Sequence, residues 1–576
     1  MNDLRRTILW SVFAFSLLML WDGWLRHTGQ PSMFSPAPAA SSAQAANPAS
    51  GAGSASQDVG VPMASATGTA AGAAAVPGAA GAASGAAVPA RRELLVLTTD
   101  VVQATIDTQG GNIVKLALLK HKDQEHPERP VMVMDQTANY TYLAQSGLVG
   151  ASGTDLPNHT SQMTVLTSER SLGEGRNELV LSLESPVQNG VKRVLTYTFA
   201  RGSYVVGVKQ TVVNASAAPI KPQLYVQFTR DGTLPPHSGF FGTPTSYTGP
   251  AFYTSTAKFQ KVDFKHIDES KGDASKLEFE KSADNGWVSM VQHYFAAAWL
   301  QTKQGPRDFY ARTISPNLYA VGMLFPLGEV APGQTRTVDN QLFVGPAEEQ
   351  KLEGIAEGLE LVKDYGIVTI LAKPLFWLLH WLHTYLHNWG WSIVALVVLL
   401  KAAFFWLNAK AYGSMAKMKA INPRIQEMRE RLKDKPQEMQ QEMLKIYREE
   451  KVNPIGGCLP IVIQIPVFIA LYWVLLSSVE IRNAPWIGWI TDLSVKDPFF
   501  VLPALMTAST MLQTWLNPTP PDPMQAKMMW IMPLVFSVMF FFFPAGLVLY
   551  WLTNNILSIA QQWVINKRME NATKKA

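Results

Sequence analysis

The sequence predicts a polytopic α-helical membrane protein with a large antiparallel β-sandwich inserted outside the membrane. Only 16% of its 576 residues are charged and 47% are hydrophobic, whereas soluble domains are about 25% charged. Residues 366–576 contain 12 of the 17 Trp and several charge-free apolar runs, which excludes a single soluble globule. Residues 91–345 instead alternate apolar and polar side chains residue by residue, which is typical of β-strands.

Residues 1–27 predict an uncleaved signal anchor with its N-terminus in the cytoplasm. Arg5 and Arg6 precede an apolar run over residues 7–25, which is the order found in signal sequences. The small residues at 37–39 fit a cleavage pattern but lie too far downstream. A cleaved signal is therefore kept only as the alternative.

Residues 28–90 predict a flexible tether. They are dominated by Ala, Gly, Ser and Pro, and Asp58 is their only charge. Such a segment cannot bury enough apolar surface to offset the entropy lost on ordering. As a flexible chain it would span roughly 45 Å. We therefore expect it to leash the next domain to the membrane, and we expect that domain to be mechanically independent of the membrane core.

Residues 91–345 predict a sandwich built from hairpins. Turn signals such as 109–111 and 188–190 separate the alternating runs, and a long series of hairpins is typical of an antiparallel sandwich. The clearest predicted strands are residues 93–98, 101–106, 177–183, 193–200 and 204–213. Residues 346–388 then lead back to the bilayer, and their charged, periodic first part predicts a helix over 347–363.

An amphipathic helix is predicted over residues 366–386, on the membrane surface. Trp377 and Trp381 lie one turn apart at its border, which suits the interface between membrane and water. Three histidines share one face, so a metal site is the alternative interpretation, although no carboxylate lies nearby in sequence. These histidines are His380, His383 and His387.

Five further spans form the predicted core, residues 389–566, and with the anchor they make six. They are residues 389–407, 455–476, 499–516, 528–543 and 545–565, and Lys401 is their only charge. Residues 412–454 carry ten basic and seven acidic side chains, and the tail 567–576 is also basic, whereas loop 478–498 has a slight acidic excess. The positive-inside rule therefore places 412–454 and both termini in the cytoplasm and the β domain outside.

Lys401 is the first candidate for a functional site, because it lies midway along an otherwise apolar span. A charge at such a depth costs about 2.5–3.5 kcal/mol on insertion scales and marks a wet cavity or pathway. The alternative is that its side chain extends to the cytoplasmic headgroups. Polar side chains on other spans predict a hydrated groove, with interhelical hydrogen bonding as the alternative. The predicted groove residues are Lys401, Gln464, Gln513, Asn554, Ser558 and Gln561.

Residues 412–452 predict a helical hairpin that turns at 434–436. Methionines line its apolar faces, and such faces adapt to varied apolar partners. One interpretation is a docking site for client segments or ribosomal components, and the other is that the two arms simply pack on each other. The methionines assigned to docking are Met415, Met418, Met428, Met439 and Met443.

Other chemistry finds no support in the sequence. Cys458 is the only cysteine, so an internal disulfide and a cysteine-rich metal site are impossible. Walker, G-x-S-x-G and H-E-x-x-H motifs are missing, and we expect no catalytic residues, no cofactor and no metal. The net charge of +5 comes without a dense basic stripe, which argues against specific nucleic-acid recognition.

Four motifs follow one another along the predicted core. They are YGSMAKM at 412–418, KVNPIGGCLP at 451–460, DPMQ at 522–525 and FPAGLVLY at 543–550. With the anchor, the tethered β domain and the interfacial helix, they resemble the Gram-negative branch of the YidC-type membrane protein insertases over nearly the whole chain. That family often has Arg as the cation of its groove, and the matching position here is Lys401. Lys keeps the positive charge but cannot bind a carboxylate bidentately.

The resemblance implies a protein that inserts nascent integral membrane proteins and helps them fold, alone or with a translocon, and that is not an enzyme. It implies a hydrophilic groove that is open to the cytoplasm and the lipid and closed outward, with substrates sliding along spans 455–476 and 528–543. The implied partners are nascent membrane proteins, the ribosome, the Sec translocon and the lipid bilayer. The implied location is the bacterial inner membrane, with a periplasmic β domain.

Two other function classes stay open at this point. A secondary transporter or channel would need paired intramembrane charges or repeats, and the sequence has neither. A membrane-anchored periplasmic carbohydrate-active protein would need clustered carboxylates in the β domain, and clustering is a property of the folded chain.

The charge pattern makes a topology prediction. In a Cys458→Ser background, an impermeant thiol reagent added to intact spheroplasts should label Pro485→Cys but neither Lys435→Cys nor Glu570→Cys. All three variants should be labelled after the membrane is permeabilised, which controls for folding and expression. Labelling of Lys435→Cys in intact spheroplasts would rule out the six-span arrangement.

Overall fold

The structure of this protein is a computed structural model that describes most of the chain from residue 92 onward. The described residues are 92–124, 126–150, 154–233, 247–432, 435–450, 459–517 and 523–573. The predicted anchor 1–27, the predicted tether 28–90 and Cys458 lie outside these described residues, as do the turn of the predicted hairpin at 433–434 and the end of the tail.

An antiparallel β-sandwich occupies the first part of the described chain. Its strands are β1 (Leu94–Thr98), β2 (Val102–Asp107), β3 (Asn112–Lys122), β4 (Pro130–Met134), β5 (Tyr142–Val149), β6 (Thr164–Val165), β7 (Glu178–Glu184), β8 (Val191–Ala200), β9 (Val205–Asn214), β10 (Gln223–Asp231), β11 (Gly249–Thr254), β12 (Lys258–Lys261), β13 (Ser282–Ala283), β14 (Trp287–Val291), β15 (Phe295–Leu300), β16 (Arg307–Ser315), β17 (Leu318–Pro326) and β18 (Thr335–Pro346). One sheet has the order β1-β2-β3-β5-β10-β17-β16-β13, with β4 paired to β3. The other has the order β12-β11-β14-β15-β18-β9-β8-β7-β6.

The alternation in the sequence reflects how these sheets pack. Along β8, Tyr197 and Phe199 point inward and are buried, whereas the side chains between them are partly exposed. The inward faces of both sheets share one core, in which Phe228 of β10 and Trp299 of β15 lie 6.2 Å apart between ring centroids. The five clearest predicted strands each begin within two residues of an observed strand. The predicted antiparallel sandwich is therefore confirmed.

The segment after the sandwich differs from the prediction of one helix over 347–363. It contains a short helix, Glu349–Glu353, and a separate 3₁₀ turn, Leu359–Val362. Gly354 and Gly358 lie between them, and Gly358 has φ 74°, in the left-handed region that favours glycine. The two glycines end the first helix and change the direction of the chain, although charged and apolar residues continue to alternate with helical spacing. The prediction of one continuous helix is therefore wrong.

The rest of the described chain is helical. Numbered in chain order, the helices are α1 (Phe264–Ser270), α2 (Glu349–Glu353), α3 (Thr369–Leu386), α4 (Trp389–Ala403), α5 (Phe405–Arg431), α6 (Pro436–Glu449), α7 (Leu459–Ser477), α8 (Val501–Leu516), α9 (Pro523–Met539) and α10 (Ala545–Thr573). Buried side chains of α3, α4, α7, α8 and α10 form one apolar cluster that is separate from the core of the sandwich.

The predicted span 389–407 is not one straight helix. It breaks at Phe404, where φ is −93° and ψ is 10°, so α4 and the start of α5 meet at an angle of 65°. Among the described residues, this bent pair has the length and hydropathy of a membrane span, and no unbroken helix does. The other apolar helices are shorter, at Gln464–Ser477 and Ala526–Phe542. The count of six spans stays a prediction.

A buried ion pair joins the segment that follows the sandwich to the loop after α7. Lys363 Nζ lies 3.1 Å from both carboxylate oxygens of Glu480, and the two side chains are only 1% and 13% exposed. The same ammonium group lies 3.6 Å from the ring centroid of Phe376 on α3. Burial lowers the pKa of Lys363, and the negative charge of Glu480 opposes that shift. Three parts of the chain therefore meet at one cation.

Further contacts surround this pair. Tyr365 donates a hydrogen bond to Glu349 Oε2 at 2.8 Å, and Glu349 also lies 3.7 Å from Lys373 of α3. On the sandwich itself, His293 contacts the carbonyl oxygen of Leu476 at 2.8 Å through Nε2. The His293 contact joins the β domain to the C-terminal end of α7, and the contacts of Glu349 join the connecting segment to α3. The β domain therefore touches the core in this structure, and its mechanical independence stays a prediction.

We predict that the buried pair stabilises the whole protein. Lys363→Met should lower the free energy of unfolding by about 3–5 kcal/mol, because it leaves the Glu480 carboxylate buried without its cation. The matched control is Lys351→Met, since Lys351 pairs with Glu348 at 2.7 Å while remaining 65% exposed. An exposed pair contributes about 1 kcal/mol or less. Denaturant unfolding of the full-length protein in detergent measures both changes, and equal losses would contradict the prediction.

Candidate functional site: a lysine-bearing cavity in the helical core

A small open cavity of about 30 Å³ lies between four helices of the core. Helices α4, α5, α7 and α10 contribute its walls. Its lining residues are Val397, Leu400, Lys401, Phe404, Leu407, Asn408, Gln464, Val467, Tyr550 and Asn554. The walls are thus mainly apolar, with one cation and a few neutral polar side chains placed among them.

Lys401 is the charged group of this cavity. Its Nζ donates a hydrogen bond to Ser558 Oγ at 2.7 Å, and Ser558 in turn donates to the carbonyl oxygen of Asn554 at 2.7 Å. Among the described residues, Lys401 forms no ion pair with a carboxylate. The side chain is half-buried, so a positive charge with a neutral partner faces the cavity.

The local structure explains why Lys401 points there. It occupies the last turn of α4, where the helix dipole favours a cation. The bend at Phe404 turns α5 away from the axis of α4, so that Asn408 comes to line the same cavity as Lys401. If α4 continued straight into α5, the side chains of Lys401 and Asn408 would lie about 10 Å apart along the helix axis.

The structure brings most of the predicted groove residues together. Lys401, Gln464 and Asn554 line the cavity, and Ser558 is bonded to Lys401. Gln561 lies one turn further along α10 and donates to the carbonyl oxygen of Phe405 at 3.3 Å.

Three predicted groove residues, Gln513, Ser558 and Gln561, do not line this cavity. Ser558 bonds to Lys401 and Gln561 to the carbonyl oxygen of Phe405, whereas Gln513 has neither kind of contact with the cavity wall. It lies on α8, which contributes no residue to the cavity wall. Two other polar side chains of α8 contact Asn555, whose Nδ2 lies 2.9 Å from Thr510 Oγ1 and 3.3 Å from Ser509 Oγ. Asn555 therefore forms interhelical hydrogen bonds, which the sequence left open as the alternative to a hydrated groove.

Two polar residues of the cavity wall, Asn408 and Tyr550, are not among the predicted groove residues. Asn408 lies one residue beyond the predicted span 389–407, so a search confined to the spans does not include it. Tyr550 belongs to the FPAGLVLY motif, in which its hydroxyl is a polar group two turns before Ser558. A search for polar atoms on the face of α10 that carries Asn554 would have found Tyr550, because residues four apart on a helix share a face.

The hairpin consists of the C-terminal part of α5 and all of α6. Its methionines largely pack between the two arms: Met428 is 4% exposed, next to the buried Ile425 and Ile446. Met418, Met439 and Met443 are partly buried against this cluster, and the side chain of Met415 lies outside the described residues.

Ion pairs between the arms also fix their alignment. Arg424 lies 3.1 Å from Glu449, and Arg431 lies 3.3 Å from Glu442. The outer surface of the hairpin is therefore mostly polar, although Leu444 is 52% exposed.

Two of the three histidines at the interfacial helix, His380 and His383, form aromatic contacts. His383 stacks on Trp389 with ring centroids 4.0 Å apart, and the rings of His380 and His383 lie 6.5 Å apart. No three His, Cys, Asp or Glu side chains in the described part of the chain are grouped as metal ligands would be. On the other face of α3, Trp377 is largely exposed, which suits the predicted position at a membrane surface.

The sandwich, the interfacial helix and the cation-bearing cavity define an α-helical membrane protein with a large β domain. Comparison with known families identifies it further. Residues 94–378 match the family model described as the YidC periplasmic domain, and residues 381–573 match the one described as 60Kd inner membrane protein.

Individual relatives agree along the whole length. The chain is 55% identical over 567 residues to the membrane protein insertase YidC of Cupriavidus necator, covering 98% of each chain. It is 52% identical over 574 residues to that of Burkholderia ambifaria, covering 100% of each. A crystal structure of an active YidC insertase with its first transmembrane domain resolved matches with a TM-score of 0.37 and 18% identity, over 82% of this chain and 92% of that one. The chain belongs to the YidC family of membrane protein insertases.

The packing of the hairpin yields a prediction. Met428→Ala should destabilise the hairpin by about 2–5 kcal/mol, because it opens a cavity between the arms. Leu444→Ala removes a comparable apolar side chain from the exposed surface and should change the stability little. Hydrogen–deuterium exchange of the backbone amides of 436–449 measures the difference. Equal protection in the two variants would show that the arms do not depend on the methionine cluster.

Proposed function

We propose that this protein inserts nascent integral membrane proteins into the bilayer and helps them fold, using the cavity around Lys401 as a hydrophilic groove. The observation that carries the proposal is the half-buried ammonium group of Lys401, whose hydrogen-bond partner is the neutral hydroxyl of Ser558. Membership of the insertase family supports the general activity. The proposal assigns the residues that perform it.

The cation acts on the polar tail of an arriving client. A charge at this depth is costly unless the site is wet, and the neutral polar groups of Gln464, Asn408 and Asn554 suit a hydrated wall. An acidic group of the client about 4 Å from Lys401 would gain roughly 4 kcal/mol at an effective dielectric near 20. This gain offsets part of the cost of moving a polar tail into the membrane.

The apolar segment of the client then leaves sideways into lipid. Apolar side chains on α7 and α9 are exposed, including Ile465, Ile531 and Val535. These two helices overlap the predicted sliding path 455–476 and 528–543. Burying apolar surface contributes about 25 cal/mol per Å². A client segment long enough to span the bilayer therefore partitions strongly into lipid once its polar tail has crossed the membrane.

The proposed mechanism is not enzymatic and needs no cofactor. Insertion by partitioning breaks no covalent bond, and the energy comes from hydrophobic transfer, from chain synthesis or from the membrane potential. A secondary transporter or channel is one of the two other function classes raised by the sequence. It is disfavoured because intramembrane carriers use paired charges, whereas Lys401 has no carboxylate partner among the described residues.

The proposed setting is the bacterial inner membrane. We assign the α5–α6 hairpin and both termini to the cytoplasm and the β domain to the periplasm, in keeping with the charge pattern of the loops. The proposed partners are nascent membrane proteins and lipid, together with the ribosome at the hairpin and the Sec translocon. The proposed domains are 1–27, 28–90, 91–345, 346–388, 389–566 and 567–576.

The charge of Lys401 makes a prediction that depends on the client. Lys401→Arg should be tolerated, whereas Lys401→Ala should slow insertion of clients with an acidic translocated tail by about tenfold or more. Clients with neutral tails should be affected much less, because they lose no ion pair. Reconstituted liposomes that contain the purified protein, with paired clients differing only at the tail, measure the rates.

The control is Lys410→Ala, which removes a cation next to the Trp406 ring, 3.7 Å from its centroid, and outside the cavity. That variant should treat the two clients alike. Added salt should weaken the Lys401 effect less than it weakens an exposed pair, since the cavity is partly shielded. Equal insertion of acidic-tail and neutral-tail clients by Lys401→Ala would refute the groove-cation role.

A further inference from the structure

Loop 478–498, between α7 and α8, covers the outer ends of several core helices. At the α3–α4 turn, Asn388 Nδ2 donates to the carbonyl oxygens of Pro485 and Trp486 at 3.3 and 3.2 Å. The fit is close, because a Cβ added to Gly390 of α4 would lie 2.2 Å from the Trp486 ring. The loop therefore lies directly on the start of α4.

The other end of the loop is bonded to the α9–α10 turn. The backbone N–H of Ala545 donates to Val495 O at 2.7 Å, and that of Gly546 donates to Leu493 O at 2.9 Å. Both groups belong to the first turn of α10, whose N–H groups have no partner within the helix. The loop supplies these partners, so it bridges α4 and α10, the two helices that carry Lys401 and Ser558.

An apolar layer separates the loop from the cavity. Leu493 and Ile490 of the loop are buried in the same cluster as Ile393, Leu396 and Val548. These last three side chains lie between the outer helix ends and the cavity, which begins at Val397 on α4 and at Tyr550 on α10. Displacing the loop would uncover this layer from the outside.

One carboxylate holds the loop in its shape. Asp497 is 1% exposed and accepts three hydrogen bonds: from Leu502 N at 2.8 Å, from Phe499 N at 3.0 Å and from Trp489 Nε1 at 3.0 Å. Two of these bonds are at the start of α8 and the third reaches across the loop. Phe500, between them, has φ 55°, a conformation that costs free energy in a residue other than glycine and must be held by its surroundings.

We propose that Asp497 is a positioning residue that keeps loop 478–498 seated as the outer seal of the groove. The inference rests on the proposed groove function and adds a specific residue to it. The three donors converge on the carboxylate from both sides of the loop, so losing an acceptor would free the loop from the start of α8. The groove would then open outward as well as inward, while the cavity residues kept their places.

Outward access to the cavity tests this inference. In a full-length Cys458→Ser background, Val397→Cys supplies a thiol at the cavity wall, and an impermeant maleimide is added to intact spheroplasts. Asp497→Asn keeps the size of the side chain but replaces one acceptor oxygen with a donor. Hydrogen bonds to a charged group are strong, so the labelling rate should rise about tenfold or more.

Two further variants make the test specific. Asp492→Asn is the matched control, because that carboxylate lies in the same loop but bonds only to Ser494 in the structure. It should leave the labelling rate unchanged. Trp489→Phe removes only the Nε1 donor and should raise the labelling rate of Val397→Cys by a smaller factor. This variant tests the positioning role of Asp497 even if Asp497→Asn folds poorly.

The outcomes separate this inference from the proposed function. If Asp497→Asn lowers the unfolding temperature while outward labelling of Val397→Cys stays at the control rate, Asp497 has a merely structural role and the inference is overturned. The client dependence of the Lys401 variants is measured in liposomes and does not involve this labelling. If the Lys401 variants showed no client dependence in liposomes, the groove mechanism would be refuted, whether or not loop 478–498 seals the groove.

Discussion

The buried ion pair between Lys363 and Glu480 is the contact on which the arrangement of the described chain depends. It joins the segment that leaves the sandwich to the loop that follows α7, and Phe376 of α3 packs against the same ammonium group. A buried charge without a partner is far more costly than a paired one. The chain therefore has to keep all three segments together, and this fixes the interfacial helix over the outer end of the core.

Lys363 and Lys401 show how the surroundings of a lysine determine its role. Lys363 has a carboxylate with both oxygens within 3.1 Å, so its charge is neutralised and its role is to hold segments together. Lys401 has the hydroxyl of Ser558 at 2.7 Å and no described carboxylate partner. Its charge remains available to an anion that arrives from elsewhere, which is what a protein that receives client chains requires.

The core thus combines a closed outer end with an adaptable interior. At the outer end, backbone groups of loop 478–498 pair with α10, and Asp497 accepts bonds from both sides of the loop. Around the cavity, short neutral side chains such as Asn408 and Asn554 can exchange partners with water at little cost. In the α5–α6 hairpin much of the methionine surface is used for packing between the two arms, so a client contact there would use the outward faces of the arms.

Local patterns in the sequence determined a large part of this protein. Alternation predicted β8 and β9 because each strand faces the core on one side only, and this constraint acts on every second residue. Lys401 could be singled out because a charge in an apolar span is costly wherever the span lies. Gln464, Asn554 and Ser558 could be grouped with it from helical spacing and from their rarity in such spans.

Only the tertiary structure decided which of these groups meet. The bend at Phe404 and the two glycines after the sandwich changed helices that periodicity predicted to be continuous. Lys363 and Glu480 are 117 residues apart, and no local pattern links them. On α10, Ser558 faces Lys401 whereas Asn555, less than one turn away, bonds to α8. Local periodicity specifies which side chains share a face, but the partner of each face is set by packing between distant segments, because burial and pairing of polar groups are satisfied only in the assembled core.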